Sequence, residues 1–506
     1  MVRVPVSLVA MGACLSMAGC DSGPPDWLVS TSGTTSAGET TAVDADTEAE
    51  VCAPKDPSVC AGGCSWSLGA GSAADEWNIL LGVDCGENVV VAGDFNVSLD
   101  FGGDVLEDAS SYGGETDLYV AKLGPGGKHL WSKAFGDKRG QRLGGMAVDS
   151  RGAVALAGFY EGSLDFGAGP VKTALTAAFV AKLDAAGNPR WTRSYETQED
   201  SDAWRMPLAI DANDNLWITG SISAVTDFGG GPMNPAAGVA HKLFVAKIGP
   251  DGEHLWSRSF DPGEAMGTQI AFDHAGNAIL VARSHGAVDL DGAAPAEAEL
   301  GGGMFLAKID PDGKVLLHRY FPDHEIPGWV ESVGFRLAVD SKDEIVIAGG
   351  MSGVRDLGGG PLGDPYIDTY RTRGFVAKYD AAGELLWNVT IDGDEDHDSS
   401  IADVVITADD HIHVAGYTTG GLDVGGVEAF GMLGVFSPFV AELGPDGAGV
   451  SARAFVGDAF PSSLRVTPSG TALLAGSYSA GASFGQGPMS AHGTDDDDLF
   501  VVSYSP

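Results

Sequence analysis

Residues 142–195 carry the pattern that decides the fold, four short apolar stretches: RLGGMAVD (142–149), AVALAGFYEGSLDF (153–166), AAFVAKLD (177–184) and PRWTRSY (189–195). Each is rich in Val, Leu, Ala or aromatic residues. Gly, Asp, Asn or Pro separates one from the next, which is typical of strands joined by turns. The set returns along the chain with a period of about 60 residues. Four strands at such a period indicate a propeller blade.

Constant offsets define seven repeats. The second strand of each, which reads like VVVAG, ends at Gly93, Gly158, Gly220, Ala282, Gly349, Gly416 and Gly476. Nine residues earlier stand Asp84, Asp149, Asp211, Asp273, Asp340, Thr407 and Thr467. The third strand of five repeats shares a lysine: Lys122, Lys182, Lys247, Lys308 and Lys378. Nine residues past the lysine position stand Trp131, Trp191, Trp256, Leu317, Trp387 and Ser451. Since these offsets need no gaps, the repeat count is seven.

The two ends of the chain predict how the ring closes. The last repeat stops at Ser505-Pro506, after its third strand, without the tryptophan segment that elsewhere forms the fourth. That segment stands instead at Trp66, which precedes Gly93 by the same spacing that separates Trp131 from Gly158. A single blade cannot bury both of its faces, so neighbouring blades must stack. We therefore predict an all-β, closed seven-bladed β-propeller with four antiparallel strands per blade, in which an N-terminal strand completes the last blade.

The phrases VAG, LDFGGGP and FVAKLD, followed by a tryptophan and FG, resemble the bacterial seven-bladed β-propeller repeat family abbreviated SBBP. The resemblance covers residues 64–506. It implies a protein that is exported or attached to the cell surface, often as a lipoprotein. It supplies no catalytic residues.

Composition excludes several classes of function. The chain has 70 acidic residues against 29 basic ones, a formal charge of −41, so its field repels phosphate backbones and a nucleic-acid partner is not expected. Hydrophobic residues make up 44% of the chain, enough for a large core. Many of the 74 glycines fall in the repeated turn phrases. No nucleophile elbow, HExxH, phosphate-binding loop or dinucleotide motif occurs, which disfavours an enzyme without excluding one.

The N-terminal residues predict export. Arg3, the apolar stretch from Val4 to Leu15 and a small-residue site before Cys20 resemble a lipoprotein signal peptide over residues 1–19, with Cys20 as the lipid attachment site. An ordinary secretory signal with an incidental cysteine is the alternative. Residues 20–50, rich in Ser, Thr, Gly and acids, are expected to form a flexible tether. A cysteine-containing lead-in (51–63) then precedes the propeller (64–506).

Four cysteines remain near the start of the propeller: Cys52, Cys60, Cys64 and Cys85. An even number in an exported chain favours two disulfides, and three connectivities are open. A zinc site is the alternative, although the spacing lacks paired CxxC motifs.

Strand alternation sorts the connections into two faces of the ring. The tight turns between strands one and two, and between three and four, share one face, which we call the turn face. The longer and more variable connections share the other, the variable face. Binding residues are usually carried by such loops on a rigid scaffold, so the variable face and the channel mouth are the predicted site.

Recurring polar residues are interpreted as structural. The aspartates of the LDFGG phrase predict turns in which the carboxylate accepts backbone N–H groups, with a cation-binding ring of carboxylates as the alternative. They are Asp100, Asp165, Asp227, Asp289, Asp356 and Asp423, with Ser483 in the last repeat. The shared lysines are expected to form a repeated structural pair or to pack through their apolar stems. Asp211 to Asn215 resembles the start of a calcium loop but aligns with plain turns, so a β-turn is favoured.

Departures from the repeat are the candidates for function. His413 occupies an apolar slot with His411 on the same strand face, as a buried histidine or a metal pair. Two acidic clusters on loops of the variable face could attract calcium through Asp394, Asp396, Asp398, Asp495, Asp496 and Asp497. Aromatic and arginine residues are the partner-binding candidates: Trp204, Trp329, Tyr366, Tyr370, Arg371 and Arg373.

These observations favour a lipid-anchored, non-catalytic, monomeric propeller at the outer membrane or cell surface that binds a protein or glycan and touches the membrane only through its anchor. No cofactor is expected, and calcium is the open alternative. An exported hydrolase or lyase with its site at the channel mouth is a second hypothesis. A calcium-stabilised structural or adhesive surface protein is a third.

Overall fold

Strands and turns make up the described part of the chain, and it contains no helix. The computed structural model describes residues 66–71, 77–109, 115–196, 206–222, 225–233, 242–285, 290, 302–322, 334–362, 371–392, 397–479, 481–485, 487–490 and 498–504. Seven antiparallel four-stranded units form a seven-bladed propeller, as the repeat spacing predicts.

The strands follow the repeat order. The first is β1 (Ser67–Ala70), and blade 1 with its small hairpin follows: β2 (Trp77–Val83), β3 (Val89–Phe95), β4 (Ser98–Leu99), β5 (Leu106–Glu107), β6 (Asp117–Leu123) and β7 (His129–Phe135). Blades 2 to 4 use β8 (Gln141–Val148), β9 (Val154–Leu164), β10 (Val171–Leu183), β11 (Pro189–Glu196), β12 (Leu208–Ile210), β13 (Leu216–Ile222), β14 (Lys242–Ile248), β15 (His254–Phe272), β16 (Ala278–His285), β17 (Gly302–Ile309) and β18 (Val315–Pro322). Blade 5 and its hairpin use β19 (Phe335–Val339), β20 (Ile345–Ser352), β21 (Arg355–Asp356), β22 (Pro361–Leu362), β23 (Thr372–Tyr379) and β24 (Leu385–Asp392). Blades 6 and 7 use β25 (Ser399–Ile406), β26 (Ile412–Thr418), β27 (Gly421–Val424), β28 (Val427–Phe430), β29 (Ser437–Leu443), β30 (Gly449–Ala454), β31 (Ala459–Val466), β32 (Ala472–Tyr478) and β33 (Asp498–Tyr504).

Burial explains the apolar runs of the second and third strands. Every residue of β3 and β6 is buried, because each blade is packed between two neighbours and both of its faces are covered. The fourth strand β7 is only half-buried, since it forms the outer rim of the ring. Two blades share one long strand: β15 pairs with β14 near its start and with β16 near its end.

The ring closes as predicted from Trp66. Strand β1 pairs with β33, from Ser67 opposite Val502 to Ala70 opposite Leu499, and so completes blade 7. The first strands of blades 7 and 1 also join, because Leu81 N donates to Ser463 Oγ (3.2 Å) and Ser462 Oγ donates to Ile79 O (2.8 Å).

The recurring aspartate and lysine form a buried ion pair in each of blades 1 to 5. The Nζ–Oδ2 distances are 2.8 Å for Lys122–Asp84, 2.9 Å for Lys182–Asp149, 3.2 Å for Lys247–Asp211, 3.1 Å for Lys308–Asp273 and 2.7 Å for Lys378–Asp340. Burial alone would raise the pKa of Asp84, but hydrogen bonds from Lys122 and Asn88 outweigh it and lower that pKa. These pairs hold the turn face, as the sequence predicts for the shared lysines.

The same aspartate also shapes the tight turn that follows it. Asp149 Oδ1 accepts the N–H groups of Arg151 (2.9 Å) and Ala153 (2.8 Å). Gly152 takes the left-handed conformation at φ +76°, which glycine adopts without steric cost. Asp211 makes the equivalent contacts to the N–H groups of Asn213 and Asn215, so the calcium-like segment is a β-turn.

In five of the seven blades the recurring tryptophan joins its blade to the next. Its indole N–H donates to a carbonyl in the tight turn of the following blade: Trp66 to Pro125 (2.8 Å), Trp131 to Ala185 (3.2 Å), Trp191 to Pro250 (2.9 Å), Trp256 to Pro311 (2.9 Å) and Trp387 to Pro445 (3.1 Å). The ring also lies against the turn glycine, as Trp131 does against Gly187. This contact spans the ring seam, because Trp66 belongs to blade 7 and Pro125 to blade 1.

The LDFGG aspartates make the predicted turns. Asp165 Oδ1 accepts the N–H groups of Gly167 (2.7 Å) and Gly169 (3.0 Å), and Asp227 and Asp356 repeat the arrangement. Asp100 and Asp423 each accept one glycine N–H. Asp289 lies outside the described residues. Backbone donors therefore occupy these carboxylates, as the structural interpretation requires.

Candidate functional site

The connections of the variable face over blades 5 to 7 form one continuous part of it. Its connections are held together by backbone contacts: Thr372 N donates to Asp398 Oδ1 (2.9 Å), and Thr419 N donates to Asp398 O (2.9 Å). Gly434 N donates to Thr419 O (2.8 Å). The start of β23, the 397–398 segment and the connection between β28 and β29 thus form one surface.

A cluster of three aromatic rings supports this surface at the boundary of blades 6 and 7. Tyr417, Phe436 and Phe460 are half-buried, with ring centroids 5.3, 5.8 and 5.0 Å apart. Ala459 N donates to Phe436 O (3.0 Å), which ties the connection before β31 to the one before β29. Burial raises the pKa of Tyr417, so this ring stays neutral. The three packed rings hold the connections before β29 and β31 together, and the cluster is the base of this surface.

Large apolar side chains project from this base into solvent. Phe430 and Leu433 are each 74% exposed and Met432 is 43% exposed, all within four successive residues that we call the apolar loop. Val456, on the neighbouring connection, is 56% exposed. Clustered exposed apolar residues on a soluble protein mark interaction sites, whereas isolated ones do not.

The apolar loop differs from the other exposed apolar residues of the ring. A leucine or valine just before the tryptophan position is about half exposed in blade after blade: Leu130, Leu255, Leu316, Leu386 and Val450. These side chains lie on the solvent side of the fourth strands and belong to the repeat. Phe430 is the last residue of a hairpin, β27–β28, that extends the sheet of blade 5 through the pairing of Ile391 with Val424, and Met432 and Leu433 follow in the connection to β29.

Three residues predicted from the sequence lie beside this surface. Arg371 and Arg373 are half-buried at the start of β23, and Asp398 is half-buried next to them. Asp398 Oδ1 accepts Thr372 N, so this carboxylate helps to fix the loop. His397 packs against Gly420, at the foot of the apolar loop. The structure thus brings together two candidate groups that lie far apart in the sequence.

Most other predicted site residues lie outside the described residues. They are Cys20, Cys52, Cys60, Cys64, Trp204, Trp329, Tyr366, Tyr370, Asp394, Asp396, Asp495, Asp496 and Asp497. Cys85 lies in the tight turn between β2 and β3, and the connectivity of the cysteines stays a prediction. In the described ranges no three His, Cys, Asp or Glu residues are grouped to hold a metal ion. Nor does that part of the chain contain a helix long and apolar enough to cross a membrane.

Two buried carboxyls at the variable-face end of blade 1 were not found from the sequence. Asp94 is 1% exposed, and it accepts Asn78 Nδ2 (2.6 Å) and Leu143 N (2.6 Å), the latter on the first strand of blade 2. Burial raises its pKa to about 7. Asp117 is 2% exposed, and burial raises its pKa to about 6. A departure from the repeat could have identified Asp94, since Phe159, Ser221 and Tyr417 hold the aligned position.

A second buried charge cluster joins the first strands of blades 5 to 7. Asp403 is fully buried and accepts Leu464 N (2.8 Å) and Arg465 Nη1 (3.1 Å) from blade 7. Arg336 of blade 5 donates from Nε to Ala402 O beside it. Burial raises the pKa of Asp403, although both arginines oppose that shift. These groups link inner strands and present little surface to a ligand.

Comparisons with known proteins show a similarity in fold only. No family model matches the chain, and no curated protein matches it. Similar solved structures include the polysaccharide lyase Uly1 (10% identity, 86% of this chain and 90% of that chain, TM-score 0.43) and a PL25 ulvan lyase (11%, 85% and 97%, 0.43). The Pan2 WD40 domain of Neurospora crassa is another (10%, 87% and 95%, 0.41). At these identities and TM-scores the similarities carry no argument about function.

Proposed function

We propose that this protein is an exported, lipid-anchored and non-catalytic propeller of the SBBP-repeat type, which binds a protein partner in the bacterial envelope or at the cell surface. The exposed apolar loop on the variable face is the observation that carries the proposal. Cys20 is the proposed anchor, and the tether of residues 20–50 would hold the propeller away from the membrane.

The chemistry of the apolar loop favours a protein over a glycan. Met432 and Leu433 offer neither hydrogen bonds to sugar hydroxyls nor a flat ring for stacking, and Phe430 offers a ring but no hydrogen bond. Protein interfaces, in contrast, bury an apolar centre inside a polar rim. The charge of −41 would draw a basic partner to the surface and raise its association rate.

Burial of the perturbed carboxyls supports a non-catalytic role. A general acid or base must come within hydrogen-bond reach of the group that it protonates or deprotonates. Asp94 and Asp117 have raised pKa values but are at most 2% exposed, and their contacts are to the chain itself. Perturbed pKa values of this kind arise in structural networks as well as in active sites.

The test compares partner binding by residues 21–506 and by the double variant Phe430→Ser/Leu433→Ser. Partners are captured from envelope extract, identified, purified and titrated. We expect Phe430 and Leu433 to be hot-spot residues, whose truncation costs about 2 kcal/mol or more, so the double substitution should weaken Kd at least tenfold.

The control variant is Leu386→Ser, which removes an equally large side chain from a repeat position that is 49% exposed. It should leave Kd unchanged. Equal binding by the double variant and the wild type, or tight binding to a purified glycan that ignores the double substitution, contradicts the proposal. For the anchor, Cys20→Ala should move the full-length protein from the membrane to the soluble fraction.

A further inference from the structure

Asp117 has one carboxylate oxygen without a hydrogen-bond donor in the described part of the chain. Its Oδ2 accepts Ala109 N (2.7 Å), while Oδ1 is buried and receives no donor. A buried acceptor left without a partner destabilises a fold, so such an oxygen requires an explanation. The position is not constant in the repeat, since Ala177, Lys242 and Ser437 hold it in other blades and Asp498 holds it in blade 7.

A second acceptor lies close to this oxygen. Both Asp117 Oδ1 and Gln141 Oε1 lie within 2.4 Å of the point where a Cβ on Gly136 would stand. Gln141 is fully buried, at the start of the first strand of blade 2. Two acceptor oxygens therefore lie close together on the same side of Gly136.

Reversing the Gln141 amide does not resolve this conflict. Its Oε1 accepts Asp137 N (3.2 Å), and its Nε2 donates to Asp137 Oδ1 (3.3 Å) and Glu161 O (3.3 Å). In the reversed orientation the NH₂ group would oppose the Asp137 N–H, and the oxygen would oppose two acceptors. The hydrogen bonds therefore fix Oε1 on the side of Asp117.

Two more carboxylates add negative potential at this point. Asp108 and Asp137 both disfavour ionisation of Asp117, after burial, which is the larger cause of its raised pKa. Asp137 Oδ2 accepts Ser163 N (2.8 Å), and Asp108 Oδ2 accepts Val97 N (3.1 Å), so hydrogen bonds hold both side chains in place. Such an arrangement attracts positive charge to Asp117 Oδ1 and Gln141 Oε1.

We propose that Asp117 Oδ1 and Gln141 Oε1 are two ligands of a hard divalent cation of the calcium class, bound between blades 1 and 2 on the variable face. Calcium takes carboxylate and amide oxygens and completes its coordination with backbone carbonyls and water. The site lies apart from the apolar loop and does not depend on the proposed function.

The test measures thermal unfolding of residues 21–506 at pH 8, in chelator and in millimolar CaCl₂. Calcium should raise the wild-type midpoint by at least about 2 °C, because a ligand that binds only the folded state stabilises it. Asp117→Asn should remove the response. This variant is expected to fold, because its amide can donate to Gln141 Oε1 while its oxygen accepts Ala109 N.

A matched control separates this site from the acidic loop predicted in the sequence. The double variant Asp394→Asn/Asp396→Asn should retain the calcium response, and calorimetry should show one site lost in Asp117→Asn and none lost in the control. A wild-type midpoint that calcium leaves unchanged at pH 8 overturns the proposal, as does a response that persists in Asp117→Asn. Neither result affects the proposed partner binding at the apolar loop.

Discussion

Lys182→Met is the substitution that best tests whether the repeated ion pairs hold the blades. Lys182 Nζ lies 2.9 Å from Asp149 Oδ2, and both side chains are only 2% exposed. Methionine keeps most of the length and volume of the lysine stem. The variant therefore removes the charge and leaves the packing nearly intact.

The expected loss of stability follows from what remains behind. Removing one partner of a buried ion pair costs about 3–5 kcal/mol, because the other charge is left uncompensated. Asp149 Oδ1 still accepts two backbone N–H groups in the variant, which offsets part of this penalty. We therefore expect a loss near the lower limit, about 3 kcal/mol.

Blade 7 provides a natural precedent for removing both charges. Thr467 and Ser503 hold the positions of Asp149 and Lys182, and both are buried. Thr467 Oγ1 accepts Thr471 N (3.1 Å), so a hydroxyl can support the same turn. The double variant Asp149→Thr/Lys182→Ser should therefore recover more than half of the stability that Lys182→Met loses.

The assay is urea denaturation of residues 21–506 at pH 7, with the midpoint and slope fitted for each variant. Lys172→Met is the control, since Lys172 is exposed on the same strand and its loss should change the free energy of unfolding by less than about 0.5 kcal/mol. The reasoning is refuted if Lys182→Met costs less than about 1 kcal/mol. It is also refuted if the double variant is no more stable than the single one.

Two further predictions concern the blade junctions. Leu317→Trp should stabilise the fold by about 0.5–1.5 kcal/mol, the contribution of one hydrogen bond, since Leu317 already packs against Gly383 of the next blade. Ser451→Trp should not stabilise the fold. The urea denaturation midpoints of the two variants test this difference. Burial raises the pKa of Asp94 from 3.8 to about 7, so the folded state binds a proton more tightly than the unfolded state does. Stability should therefore rise as the pH falls from about 8 towards 4, by at most about 4 kcal/mol from this group, and Asp94→Asn should flatten that pH dependence of the urea midpoint.

The architecture was predictable because its signals are local and repeated. Short apolar stretches, turn residues between them and constant offsets between repeats suffice to place Gly158, Trp131 and Asp149. The prediction that Trp66 completes blade 7 depends only on its spacing to Gly93, and β1 pairs with β33 accordingly.

The candidate site was harder to predict from the sequence than the fold, for two physical reasons. Phe430 and Leu433 have the composition of core residues, and only the fold shows that nothing in the described chain covers them. Asp403 reaches Leu464, and Asp94 reaches Leu143, across blade boundaries and about one repeat of sequence, so no short motif records these contacts. The sequence shows only that Asp94 differs from the residues at the aligned position of other blades. It does not reveal the contacts of this side chain.

The histidines of blade 6 show how residues that differ from the repeat can be explained by the way the ring closes. No tight turn of the described chain joins β33 to β1, so blade 7 offers no turn carbonyl to a tryptophan of blade 6. Ser451 stands where that tryptophan would be, and Glu442 stands in place of the shared lysine.

Glu442 contacts other residues of its own blade instead of an aspartate. His411 Nδ1 lies 2.5 Å from Glu442 Oε1, and Ser451 Oγ donates to Oε2 (3.4 Å). His413, directly opposite Glu442 in the β26–β29 register, is buried, and burial lowers its pKa, so it remains neutral near pH 7. A carboxylate that pairs with a histidine thus replaces the ion pair of blades 1 to 5. His411 and His413 are therefore explained as structural residues. The ring closure that removes the tryptophan contact of blade 6 also changes the residues that stabilise the neighbouring turn.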